Sequence, residues 1–250
     1  MSQALFEYLL RLGDDRLVLG HRNAEWCGHG PILEEDIAIS NLALDLTGEA
    51  QLFLELAGKV EGLGRDADQL AYWRDETQFR NLQLLELPKG DFAFTMVRQF
   101  LFSAWSHFLL EGLMQSKHED LKGIAAKAVK ENRYHLRHAS EWVVRLGDGT
   151  EESHQRAQAA LDQAWPWTGE FFLADDVDRV VAAEGLGVNP SGLKPQWESV
   201  VNDVIRRATL TVPNTPMRMV GGRKGRHTEY LGHMLADMQI VARSHPGAKW

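Results

Sequence analysis

One stripe limits what this sequence can become. Between residues 33 and 60 the positions Ile39, Leu42, Leu46, Glu49, Phe53, Leu56 and Val60 recur every three or four residues, and all but Glu49 are apolar. That spacing stacks the side chains on one face of a long α-helix. Three more segments repeat the pattern. Residues 2–26 align Leu5, Leu9, Leu12, Leu19 and Trp26; residues 92–116 align Val97, Leu101, Ala104 and Phe108; residues 120–146 align Leu121, Ile124, Ala128, Asn132, His135, Ala139 and Trp142. Alternating strand-like runs are nearly absent, so the chain is expected to be all-α. Four long helices joined so that neighbours can run antiparallel predict a four-helix bundle. The connection between the second and third, with a shorter helix at about 66–85 inside it, is longer than a hairpin needs, which is a ferritin-like trait.

Beyond residue 146 the pattern predicts further helices at about 153–172, 176–184, 193–208 and 228–244. None carries enough apolar surface for a core of its own. The expected organisation is therefore a single ferritin-like domain over 1–250, with a core bundle at about 2–146 and additional packed C-terminal helices at about 151–250. A chain of 250 residues can bury one large core. Its net charge of −8 argues against nucleic acid and anionic membrane as partners. No stretch approaches the roughly 20 apolar residues of a membrane span. Cys27 is the one cysteine, beside Gly28 at a helix end, and is taken as structural. The N-terminus is acidic where a signal peptide needs an apolar core, so a cytoplasmic location is expected.

The segment "KAVKENRYHLRHASEW", residues 127–142, raises the question of a metal site. A ferritin-like di-iron centre takes a Glu from each of two helices and a Glu-x-x-His pair from each of the other two. On the fourth helix His135 is in place, but Asn132 stands three residues before it and Glu131 four. On the second helix the pair at matching spacing is Leu46 and Glu49. The third offers Ser103 or His107 inward, with Glu111 deeper, and the first offers Glu25 near its end. Two irons bring four to six positive charges, and each buried ion left uncompensated costs on the order of several kcal/mol. Glu25, Glu49 and Glu131 with one histidine do not make that set. Glu49, Asn132 and His135 then form a buried hydrogen-bonded cluster without metal. The competing reading is an independent metalloprotein or oxidase using His135, Glu131 and Glu49.

The stretches "RLGDDRLVLGHRNAEWCGHGP", "NLALDLTGEAQ", "RDETQFRNLQLLELPKGDF", "KENRYHLRHASEWVVRLGDGT" and "GGRKGRHTEYLGHMLADMQ", taken in order along the whole chain, resemble the C-subunit family of bacterial phenylacetyl-CoA epoxidases. Those multicomponent oxygenases epoxidise the aromatic ring in phenylacetate degradation. The resemblance implies a ferritin-like, non-catalytic structural subunit related to the catalytic A subunit but lacking its iron site. The catalytic subunit's Glu-Ala-Gly-His box looks like Leu46-Thr47-Gly48-Glu49 here, its Glu-Ser-Phe-His box like Asn132-Arg133-Tyr134-His135, and its third-helix acid like Ser103. The resemblance thus implies a vestigial site at Leu46, Glu49, Ser103, Asn132 and His135, with no cofactor in this chain and the di-iron centre in the partner. It also implies pairing with the A subunit in a heterotetramer of two A and two C, a B subunit, and transient contact with a reductase that draws electrons from NADPH.

Two features lie outside that frame. Arg223, Lys224 and Arg226 sit on a glycine-rich loop before a helix whose N-cap is Thr228. A loop plus a helix N-terminus can hold a phosphate, so the alternative here is a coenzyme A binding module. Trp165 and Trp167 with Phe171 and Phe172 form an aromatic cluster that suits either core or a partner surface.

Overall fold

Ten α-helices and no strand form among residues 3–218 and 220–248, which the computed structural model describes. The expected helix start at Ser2 lies outside those residues. Four helices are long: α1 (Gln3–Ala24), α2 (Leu33–Glu61), α5 (Phe92–Leu113) and α6 (Glu119–Gly147). They form the all-α, ferritin-like bundle that the apolar stripes predicted, with the α2 to α5 connection crossing it. α2 stops at Gly62, whose φ of +75° lets its N–H return to Gly58 O at 3.1 Å. α5 starts at Asp91, whose carboxylate accepts from Phe94 N at 2.9 Å.

The helix expected over about 66–85 is not continuous. It breaks into α3 (Ala67–Tyr72), a 3-10 turn at Glu76–Gln78 and the short α4 (Gln83–Glu86). The cause is on α1. Asp14 and Asp15 are fully buried there, and they draw the intervening segment out of helical pairing. Asp14 takes the Arg74 guanidinium and accepts Arg80 N at 2.8 Å, while Asp15 accepts Leu82 N at 2.8 Å. Backbone donors served by side chains have no need of a helix.

The remaining helices, α7 (Glu151–Ala164), α8 (Asp176–Ala183), α9 (Lys194–Arg207) and α10 (Glu229–Ser244), cover the bundle. The extension of the seventh helix to 172 is also corrected: Trp165–Phe172 is a 3-10 stretch, since Pro166 has no N–H to continue the α ladder. Apart from a smaller separate cluster of Trp26, Ile39 and Met96, buried side chains from the bundle and the added helices join in one large cluster. Trp197 of α9 is at its centre, donating Nε1–H to Leu101 O at 3.0 Å and packing against the rings of Trp165 and Phe172. Trp165, Trp167 and Phe171 are buried, so the aromatic cluster is core.

Candidate functional site

A ferritin-like bundle keeps its chemistry between α1, α2, α5 and α6, and here that space is filled by a cation of the chain itself. Arg16 is fully buried. Its Nε donates to Glu49 Oε2 at 2.5 Å, its Nη1 to Leu12 O at 3.0 Å and its Nη2 to Ser106 Oγ at 3.2 Å, and its plane lies 4.8 Å from the centre of the Phe53 ring. Burial pushes the Glu49 carboxyl above the usual range, against the opposing pull of Arg16 and His135.

The other expected positions form a second, neutral layer. Asn23 Nδ2 donates to Gln99 Oε1 at 2.8 Å, Gln99 Nε2 donates to Ser103 Oγ at 2.9 Å, and Asn132 Nδ2 donates to Ser103 O at 2.9 Å. This amide and hydroxyl chain links α1, α5 and α6. Leu46 is buried in hydrocarbon beside it. His135 turns toward α2, with Nε2 3.0 Å from Asp45 Oδ2, and His138 repeats the contact one turn on with Glu35 Oε2 at 2.9 Å.

The carboxylates do not converge. Glu49 is engaged by Arg16. Glu131 stands at the edge of the bundle with Oε1 3.6 Å from Lys127, Glu25 pairs with Arg22 at 2.6 Å near the end of α1, and Glu111 faces His107 and Arg133. Among the described residues no three His, Cys, Asp or Glu side chains come together in a way that could hold a metal ion. These residues do not fit a di-iron centre. A guanidinium stands among them, and hydrocarbon, hydroxyl and amide occupy the places of three ligands. What the arrangement does chemically is neutralise one buried carboxylate and satisfy buried amides, so it holds four helices in register.

The Gly221 loop is more committed than its composition suggested. Arg223 donates to Asp15 Oδ1 and Oδ2 at 2.9 and 2.8 Å and to Arg80 O at 2.7 Å, which leaves Lys224 and Arg226 as its exposed cations. Glu170 accepts Gly222 N at 2.8 Å and Gln83 N at 2.7 Å, fastening the loop to α4. A Cβ on Gly222 would collide with Asn81 O, so only glycine fits there. Thr228 is the N-cap residue of α10, but its side chain makes no capping hydrogen bond. Cys27 is exposed and free.

Arg16, Ser106, Gln99 and Asp45 were not among the residues singled out in the sequence. A signal for Arg16 exists in the charged triplet Asp14-Asp15-Arg16, which interrupts a helix that is leucine-rich on every face. A helix buried all round must supply each of its charges with a partner.

Comparison with known proteins points the same way as the motifs. The family described as phenylacetic acid catabolic protein matches residues 1–250. The chain is 48% identical over 246 residues to the Escherichia coli (strain K12) protein named as the C subunit of 1,2-phenylacetyl-CoA epoxidase, a match covering 98% of this chain and 99% of that one.

Proposed function

The chain belongs to the family of phenylacetic acid catabolic proteins, and from that membership we propose that it is the non-catalytic structural subunit of a multicomponent phenylacetyl-CoA epoxidase. In this reading it pairs with and stabilises a related catalytic subunit that holds the di-iron centre and epoxidises the aromatic ring. It has no cofactor of its own and forms a single domain over 1–250. The assembly is cytoplasmic, contains two copies of each of the two subunits, takes up a B subunit and meets its reductase transiently.

The observation that carries the reading is the Arg16–Glu49 pair. A bundle that activates dioxygen on iron needs anions converging on an open position, whereas this one places a fixed cation there with its hydrogen bonds made inside the protein. Such a centre contributes rigidity, and the helical surface around it is what the chain can offer to another subunit.

The test is co-expression with the catalytic subunit from the same genome, followed by sizing, metal analysis and turnover of phenylacetyl-CoA. The expected result is a mixed complex whose iron is accounted for by the catalytic subunit, with no turnover and no stoichiometric metal in this chain purified alone. Two iron or manganese ions per chain in the isolated protein would overturn the proposal.

A further inference from the structure

α2 carries a second apolar line, facing away from the core. Leu33, Ile37 and Leu44 are 72%, 53% and 70% exposed. They continue at helical spacing through Gly48 and Gln51 to Glu55, the one charge on that line. α6 runs antiparallel beside it, as the Glu35–His138 and Asp45–His135 contacts show. Farther along, Leu52, Leu56, Gly123 and Ile124 floor a groove of about 400 Å³ between the two helices. Beyond its acidic first turn, Glu119 and Asp120, the outward line of α6 is basic in a chain of net charge −8: Lys127, Lys130, Arg137 and Arg145 stand against Glu141. Lys127 reaches Glu131, but Lys130 and Arg137 have no carboxylate partner among the described residues, and Arg137 lies over the Tyr134 ring instead.

Two glycines add an independent argument. Gly48 and Gly123 are inside long helices, where glycine weakens the helix, and a Cβ at either would meet nothing within 4 Å. Nothing within this chain requires glycine there. The open space over both leaves room for close approach by another backbone.

We propose that the α2/α6 face is the surface through which this chain docks on a different helical subunit. The partner lays an apolar helix along Leu33, Ile37 and Leu44, fits a ridge into the groove at Gly123, and sets carboxylates against Lys130, Arg137 and Arg145. Within the function proposed above, on which this inference rests, that partner is the catalytic subunit. The overlapping parts of the two helices make a face of roughly 40 by 20 Å, close to the ~800 Å² that each side of a stable complex buries. A second copy of this chain fits less well, because matching apolar line to apolar line sets α6 cations against each other, and crossing them sets cations on hydrocarbon. An anionic bilayer has no ridge for the groove.

The experiment is co-expression with the catalytic subunit and measurement of co-elution and affinity for four variants. Ile37→Asp/Leu44→Asp should weaken pairing by roughly 100-fold or more. Lys130→Glu/Arg137→Glu should slow association and reduce its salt dependence. Gly123→Leu sets its Cβ clear of this chain's atoms and its side chain into the groove, so it should leave the isolated chain at least as stable while pairing is lost. Ile240→Asp, on exposed α10, should pair as the wild type does. If the face variants pair normally while Ile240→Asp does not, the face is wrongly placed. Sedimentation with anionic phospholipid vesicles, or a homodimer of the wild type that Ile37→Asp/Leu44→Asp dissolves, overturns the choice of partner. If the wild type does not co-elute at all, the proposed function itself fails, and this inference with it.

Discussion

Arg16 and Glu49, on neighbouring helices and 33 positions apart, share a hydrogen bond of 2.5 Å in the middle of the bundle with neither side chain reaching solvent. Either charge alone would be a heavy burden on the fold, and together they cancel.

Removing one partner should therefore be much worse than removing both. Glu49→Ala, which leaves a buried guanidinium uncompensated, is expected to cost about 3–5 kcal/mol in urea unfolding. Arg16→Met with Glu49→Met should cost far less, or stabilise by about 1–4 kcal/mol, because hydrocarbon of similar volume fills the space. Equal losses in the single and double variants would show that the pair is not what holds this layer.

Arg223 should matter to stability and Lys224 should not. Arg223→Ala strips Asp15 of its guanidinium and releases the loop from α1, with an expected loss of about 3–5 kcal/mol. Lys224→Ala, on the exposed side of the same loop, should stay within about 0.5 kcal/mol of wild type. Limited proteolysis near residues 211–218 reports the release directly, with faster cleavage expected only in Arg223→Ala.

Glu86 predicts a pH dependence of known sign. Its carboxyl is buried, and the His227 ring faces it with Nδ1 3.5 Å away. Burial raises its pKa above the ordinary 4.5, with His227 opposing. A carboxyl that is harder to ionise in the folded state contributes stability that is fully present below the unfolded value and is lost as pH rises through the folded one. Glu86→Gln removes that dependence. The stability of Glu86→Gln relative to wild type should therefore grow from about pH 4.5 upward and then level off. A difference that shrinks with rising pH would refute the assignment.

Trp197 joins the added helices to the bundle by both packing and a hydrogen bond. Trp197→Ala should cost about 3–5 kcal/mol. Trp197→Phe keeps an aromatic ring but removes the second donor to Leu101 O, which keeps its helical partner, and the lost bond should cost about 0.5–1.5 kcal/mol. Thermal melts of the two variants separate these contributions.

The four long helices were legible because a stripe such as Ile39, Leu42, Leu46, Phe53 and Leu56 depends on local spacing alone. The segment at 66–85 was not, since Asp14 and Asp15 unwind it from some sixty residues away and no window of sequence contains both partners. The same limit applied at the centre. Glu49, Ser103, Asn132 and His135 could be named from spacing and resemblance, but Arg16, which fills the gap between Leu12 and Leu19 in the apolar stripe of its helix, shows its role only when 16 and 49 are brought face to face. The basic loop was visible as charge, while the engagement of Arg223 with Asp15 was hidden by the 208 positions between them.

That last distance has a bearing on how the protein comes into being. A ribosome finishes α1 early, with Asp15 already made and its guanidinium partner not yet translated. Until residue 223 emerges, the first helix cannot be sealed from water without stranding a charge. A nascent chain cut short before Arg223 would therefore hold most of the bundle's leucines and still lack the cation that neutralises Asp15.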